Sequence, residues 1–183
     1  VYFAFIRLGY RGYETGVINL DTKFEENVQG ALDAGIKVGV YFFSQALNAD
    51  EAYEEAQFVL DNIKGYDISF PVVFDWETVS SDTARTNNIE TEDLCQAANT
   101  FCNTIADAGY IPMVYCNQNV SMVYYELSRI QAFDFWYAEY KDQPTFYYNF
   151  DIWQYSDYAK LDGVPNANID VNISFVDYSR LNP

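Results

Sequence analysis

Apolar and polar positions along this chain switch repeatedly between a short and a longer period. Residues 1–7, Val-Tyr-Phe-Ala-Phe-Ile-Arg, form an apolar run of strand character, and a Gly/Tyr loop follows. Asp21 is a good N-cap for a helix that puts Phe24, Val28, Ala31 and Leu32 on one face and stops at Gly35. Residues 36–43 are a short apolar strand. Asn48-Ala-Asp-Glu51 has the form of a capping box. It opens a helix with Ala52, Ala56, Val59, Leu60 and Ile63 inward, Glu51, Glu54 and Glu55 outward, and Gly65 at its end. A third strand spans 70–77 and a polar loop 78–91. A helix over 92–108 buries Leu94, Cys95, Ala98, Phe101, Cys102 and Ile105, and a fourth strand covers 111–116. Beyond a short helical piece near 122–127, strands at 134–140, 150–155 and 169–173 follow without long helices between them.

Strands alternating with helices predict a parallel sheet with helices outside, and the nearly all-apolar strands fit burial on both faces. The expectation is one α/β domain over residues 1–183, a barrel-like sheet of seven strands with an eighth expected upstream. No repeat or linker divides it, and no apolar run reaches the roughly 20 residues that span a bilayer.

Composition narrows the chemistry. The chain of 183 residues contains no His, which removes His-dependent nucleophile systems, His bases and His-ligated zinc together. Acid/base work therefore falls to carboxylates, Lys, Tyr or Cys. A net charge of −17 repels nucleic acid and anionic membranes as partners. Cys95, Cys102 and Cys116 read as buried structural thiols, since two helical turns separate the first two by roughly 10 Å. The 17 Tyr and 14 Phe suit both half-exposed strands and a surface on which sugar rings stack.

The strongest local signal is Asp75-Trp76-Glu77, where an apolar strand runs straight into two acids. Residues i and i+2 of a strand share a side, about 6.5–7 Å apart at Cα, so both carboxylates face one cavity. Such a pair at the C-terminal end of a barrel strand suits glycoside hydrolysis, with Trp76 as an apolar wall helping to separate the two pKa values. Asp170 stands at a matching place on the last strand. Tyr41, Phe43, Tyr115, Asn117, Trp136, Tyr140 and Gln154 gather at other strand ends and would ring the same mouth.

These stretches resemble the family-25 glycoside hydrolases, the Chalaropsis-type lysozymes or N,O-diacetylmuramidases. Gly39-Val-Tyr-Phe-Phe-Ser44 and Phe74-Asp-Trp-Glu77 are the most specific blocks. Trp136-Tyr-Ala-Glu-Tyr140, Ile152-Trp-Gln-Tyr155 and Val164 through Ile173 keep the family's order. The resemblance implies an irregular, flattened TIM-like (β/α)5(β)3 barrel. It implies muramidase action on the β-1,4 bond between N-acetylmuramic acid and N-acetylglucosamine of peptidoglycan. Glu77 would be the general acid, Asp75 its partner carboxylate and Asp170 a further acid. Tyr41, Phe43, Tyr115, Trp136, Tyr140 and Gln154 would bind glycan. The family opens with a strand carrying Asp in an Asp-x-Ser setting, and this sequence starts at the family's second strand, so the first strand is expected upstream. No cofactor or metal is expected. The expected partner is the peptidoglycan glycan strand, met by a secreted or wall-associated monomer. A glycan-binding module on the same barrel, without cleavage, is the alternative.

Overall fold

A computed structural model describes residues 1–161 and 168–181. Eleven elements carry the architecture: β1 (Phe3–Arg11), β2 (Ile18–Leu20), α1 (Phe24–Asp33), β3 (Lys37–Ser44), α2 (Ala49–Ile63), β4 (Ile68–Trp76), α3 (Thr91–Asp107), β5 (Pro112–Asn117), β6 (Asp134–Ala138), β7 (Ile152–Ala159) and β8 (Ile169–Ser174). Single helical turns at Val120–Tyr124, Leu127–Arg129 and Tyr178–Arg180 complete them. The strands form one sheet in the order β2-β1-β3-β4-β5-β6-β7-β8. Its six central strands are parallel, and β2 and β8 are antiparallel edges.

This confirms an α/β fold built on a parallel sheet. Among the described residues the eight strands make an open sheet that curls without closing. The eighth strand found here is β2, which lies inside the expected Gly/Tyr loop and pairs Gly9–Arg11 with Ile18–Leu20. Three residues are too few for a period of two to show in sequence. The curl is nevertheless strong. Phe5 of β1 stacks on Trp136 of β6 at 4.4 Å, and the hydroxyls of Tyr2 and Ser179 are 3.0 Å apart.

The sheet separates two cores. On its outer face α1, α2 and α3 pack Phe24, Val28, Ala56, Val59, Leu94, Phe101 and Ile105 against Val40, Phe42, Val72, Phe74 and Val114. On its inner face Phe70, Val73, Met113, Tyr115, Trp136, Ile152 and Tyr178 fill the lower part of the curl. All nine residues of β4 are buried, as a strand covered on both sides requires. Gly39 permits the inner packing: a Cβ there would lie 2.4 Å from the Phe5 ring, which crosses β3 at this point to reach Trp136.

Local signals held at most helix ends. Asn48 caps α2 by accepting from Glu51 N at 3.0 Å, and Gly35, Gly65 and Gly109 follow α1, α2 and α3 with positive φ. Two readings are corrected. Asp21 does not cap α1, which begins at Phe24; its Oδ1 accepts from Lys23 N and its Oδ2 from Arg7 Nε. Glu55 does not face outward. It is fully buried against Arg11, whose Nε donates to its Oε1 at 2.6 Å. A buried cation supplied by a distant strand is invisible to helical periodicity. The three cysteines are free and buried, as expected.

Candidate active site

The inner face opens into a cavity of about 920 Å³ that runs from residues 1–5 at the start of the sheet to Asp75 and Glu77 at the C-terminal end of β4. Strand register builds it. Phe43, Asp75, Tyr115, Trp136 and Ile152 are successive cross-strand neighbours, so one row of side chains crosses β3, β4, β5, β6 and β7. The next row toward the mouth carries Ala138, Gln154 and Asn172. Alternation along β8 puts Asp170 on the same face as Asn172, two residues nearer the mouth.

The cavity brings together Asp75, Glu77 and Asp170 with Tyr41, Tyr115, Trp136 and Gln154. Two expected groove residues fall outside its lining. Phe43 is half-buried beside Asp75 on the same face of the sheet. Tyr140 is half exposed and acts indirectly, donating its hydroxyl to Gln154 Oε1 at 3.0 Å. Trp76 is not the apolar wall of the acid pair. It follows Asp75 in a strand and so faces the opposite way, into the outer core, with its ring 5.2 Å from Tyr124. Trp136, Tyr115 and Tyr41 supply the wall instead. Of the 164–173 stretch, residues 164–167 lie outside the described residues.

A polar relay fixes the mouth. Gln154 Oε1 accepts from Tyr115 Oη at 3.1 Å, and its Nε2 donates to Asp170 Oδ2 at 3.3 Å. Trp136 Nε1 donates to Asn172 Oδ1 at 2.8 Å, while Phe5 covers one face of its ring. Asn172 is a lining residue that sequence reading missed, although its i+2 spacing from Asp170 carried the signal.

The electrostatics of the acids follow from burial without neutralisation. Asp75 is buried, and its Oδ1 has no hydrogen-bond partner. Burial first, and the nearby Glu77 charge second, hold its carboxyl well above the usual range. Arg7, whose charge draws it back down, is itself paired with Asp21 at 2.6 Å. Glu77 is raised by burial and by Asp170; Asp170 is raised by burial and by Asp157. Tyr41 is pushed up to about 12 by burial and the Asp75 charge. Tyr115 is pushed upward by burial and by Glu77 and Asp75, so both phenols stay donors at neutral pH. Two like charges this close lose their protons in separate steps, and between those steps the pair holds one proton.

A second cavity, about 710 Å³, lies beside the Val120–Arg129 turns, and its acids are all engaged. Glu126 takes Arg129, Asp134 takes the Tyr178 hydroxyl, and Asp151 takes Phe135 N. In the first cavity, by contrast, Asp75 Oδ1 is buried without a partner.

Comparison with known proteins agrees with this fold. The model of glycosyl hydrolases family 25 matches residues 12–164. No sequence match is found among curated proteins. The fold is similar to the modular autolysin LytC of Streptococcus pneumoniae, solved with a synthetic peptidoglycan ligand (TM-score 0.78, 23% identity, 92% of this chain and 39% of that chain). It is similar to the spore cortex lytic enzyme SleM of Clostridium perfringens (TM-score 0.77, 23% identity, 94% and 59%). A family 25 glycosyl hydrolase from Bacillus anthracis gives TM-score 0.77 at 21% identity, covering 98% of this chain and 81% of that chain. The chain thus spans 39% of the autolysin and 59% of the spore enzyme. At these identities the likeness is one of fold.

Proposed function

This chain belongs to glycosyl hydrolase family 25, and from that premise we propose that it is a muramidase. It cleaves the β-1,4 bond between N-acetylmuramic acid and N-acetylglucosamine of peptidoglycan. One observation carries the reading: Asp75, Glu77 and Asp170 meet in a single aromatic-walled cavity, and none of them is ion-paired with a Lys or Arg side chain among the described residues. The solved structures of similar fold include autolytic and spore-lytic enzymes, one with a peptidoglycan ligand, which supports a wall glycan as substrate.

In this reading the one-proton state of the acid pair is the working state: the coupled pair holds that proton jointly, and positive charge growing over Asp75 favours its ionised form and leaves the proton to Glu77. Glu77 is less buried than Asp75 and stands nearer the mouth, so it delivers the proton to the glycosidic oxygen as the C1–O bond breaks. Positive charge grows at C1. Asp75, beneath the reacting sugar, stabilises that charge and orients the 2-acetamido group. Water then adds its hydroxyl to C1, and its remaining proton restores Glu77. The raised phenols of Tyr41 and Tyr115 stay protonated beside the acids and serve as hydrogen-bond donors to sugar oxygens. Asp170 is tied to Gln154 and so holds the wall that Tyr115 and Tyr140 share. A wall substrate puts the place of action outside the cytoplasmic membrane; among the described residues no helix is long and apolar enough to cross one.

The test is digestion of purified peptidoglycan beside a Glu77→Gln control, with soluble products read by mass spectrometry. Fragments ending in reducing muramic acid, absent from the control, are expected. Retention on walls without any product would instead assign a glycan-binding module.

A further inference from the structure

We propose that Gln45 is a positioning residue for Glu77, locked by Thr86 and by the Glu51–Arg85 ion pair; the proposal rests on the reading of Glu77 as the acid. The need for such a device is topological. The β3–β4 ladder ends at Ser44↔Trp76 and the β4–β5 ladder at Asp75↔Tyr115, so Glu77 lies one residue beyond the support of β3 and two beyond that of β5. Among the described residues its carboxyl accepts no hydrogen bond, and a polar loop begins immediately after it.

Gln45 supplies the missing rung. It directly follows Ser44 at the end of β3 and is fully buried. Its Nε2 donates to Glu77 O at 3.0 Å and to Ser44 O at 2.9 Å, so one side-chain amide bridges the carbonyls of two adjacent strand ends. Backbone carbonyls only accept, so the nitrogen must face them, and this fixes the orientation of the amide. The oxygen then points at Thr86, whose Oγ1 donates to Oε1 at 2.7 Å from a position 3% exposed. Arg85 closes the clasp. Its Nη1 donates to Gln45 O at 3.2 Å, and its two terminal nitrogens grip Glu51 at 2.9 and 2.6 Å. The loop that follows Glu77 thus folds back and fastens the segment that holds Glu77. Gln45 does not line the cavity, so it acts through the Glu77 backbone.

The experiment follows the Glu77 carboxyl directly by carbon-13 NMR titration, with Glu77→Gln assigning the resonance, alongside turnover of soluble peptidoglycan fragments. Thr86→Val keeps the shape and removes the hydroxyl; Thr86→Ser keeps the hydroxyl; Gln45→Glu turns an oxygen toward two carbonyls. The titratable groups facing Glu77 are Asp75, Asp170, Tyr115 and Tyr140, and all variants retain them. Thr86→Val is expected to lower kcat by about 10- to 100-fold with KM within about twofold, as a misplaced acid does. A loosened Glu77 gains water, so its titration midpoint falls by about half a pH unit and the alkaline limb of the rate profile moves to lower pH. Thr86→Ser restores both. An unchanged midpoint and kcat in folded Thr86→Val and Gln45→Glu would overturn the proposal. So would a loss of turnover that comes with a matching rise in KM and no midpoint shift. If Thr86→Val does not fold, Gln45→Asn, too short to span both carbonyls, takes the same readouts. If the parent protein releases no product, the muramidase reading fails, while the midpoints still decide whether Gln45 holds Glu77.

Discussion

Glu51, Glu54 and Glu55 on α2, and Asp75, Glu77 and Asp170 at the cavity, are two acidic triplets that the fold treats in opposite ways. Arg11 donates to Glu55 at 2.6 Å and to Glu54 at 2.8 Å, and Arg85 grips Glu51 with both terminal nitrogens. The cavity triplet receives no such cation among the described residues. The physical consequence is visible in the proton affinities. Glu51 is partly buried, which opposes its ionisation, yet its bonds to Arg85 and Leu47 N prevail and hold it below the usual range. Asp75 and Glu77 are buried with each other for company and rise above it. Glu55 shows the limit of pairing, since complete burial outweighs its Arg11 bond and pushes it up to about 7; the cavity acids rise with no ion-pair partner at all, and catalysis can use the proton affinity they store.

The contrast is broken most severely at Glu77. Glu77→Gln is expected to reduce glycan hydrolysis by about 10³-fold, within the range of a lost general acid, with a melting temperature at neutral pH no lower than the parent's, because its folded pKa is raised. Product release and calorimetry on the same samples check both halves.

On the structural side, Arg11→Met leaves Glu55 buried without its cation. A loss of about 3–5 kcal/mol in urea unfolding is expected, with activity retained by the molecules that stay folded. Adding Glu55→Leu should recover part of that loss, because the buried carboxyl left without its partner is then gone.

A smaller effect of opposite sign is expected at Asp75. Because its folded pKa is raised, the folded state binds the proton more tightly than the unfolded chain. Stability therefore falls as pH rises from the ordinary Asp range near 3.9 through the elevated folded value. Asp75→Asn removes that fall and gains about 1 kcal/mol at neutral pH while activity is lost. Glu51 works the other way. Its stabilisation is present above the ordinary Glu range near 4.3 and disappears as pH drops through its depressed folded value. Denaturant titrations across pH on Asp75→Asn and Glu51→Gln separate the two.

The smallest effect is expected from Trp136→Phe, which keeps the ring and deletes the donor to Asn172. A rise in KM by about 2–5-fold, with kcat nearly unchanged, corresponds to one lost hydrogen bond in the wall.

Much of this was legible in the chain. The β-α alternation determined the parallel sheet, the glycines determined where three helices stop, and Asp75-Trp76-Glu77 marked the cavity before any coordinates. These are local properties: periodicity, backbone freedom at glycine, and the fact that i and i+2 share a face. What failed were statements about partners distant in sequence. Glu55 read as a surface acid because Arg11 is 44 residues away. Trp76 read as a wall of the acid pair, although strand alternation already turned it to the other face. Tyr140 read as a groove residue although it reaches the cavity only through Gln154. The short strand β2 was not legible at all, since pairing at a sheet edge is decided by register that no single segment carries. The sequence by itself determined which acids could do chemistry; only the tertiary structure decided which of them are left without a cation, because burial and charge pairing are set where distant segments meet.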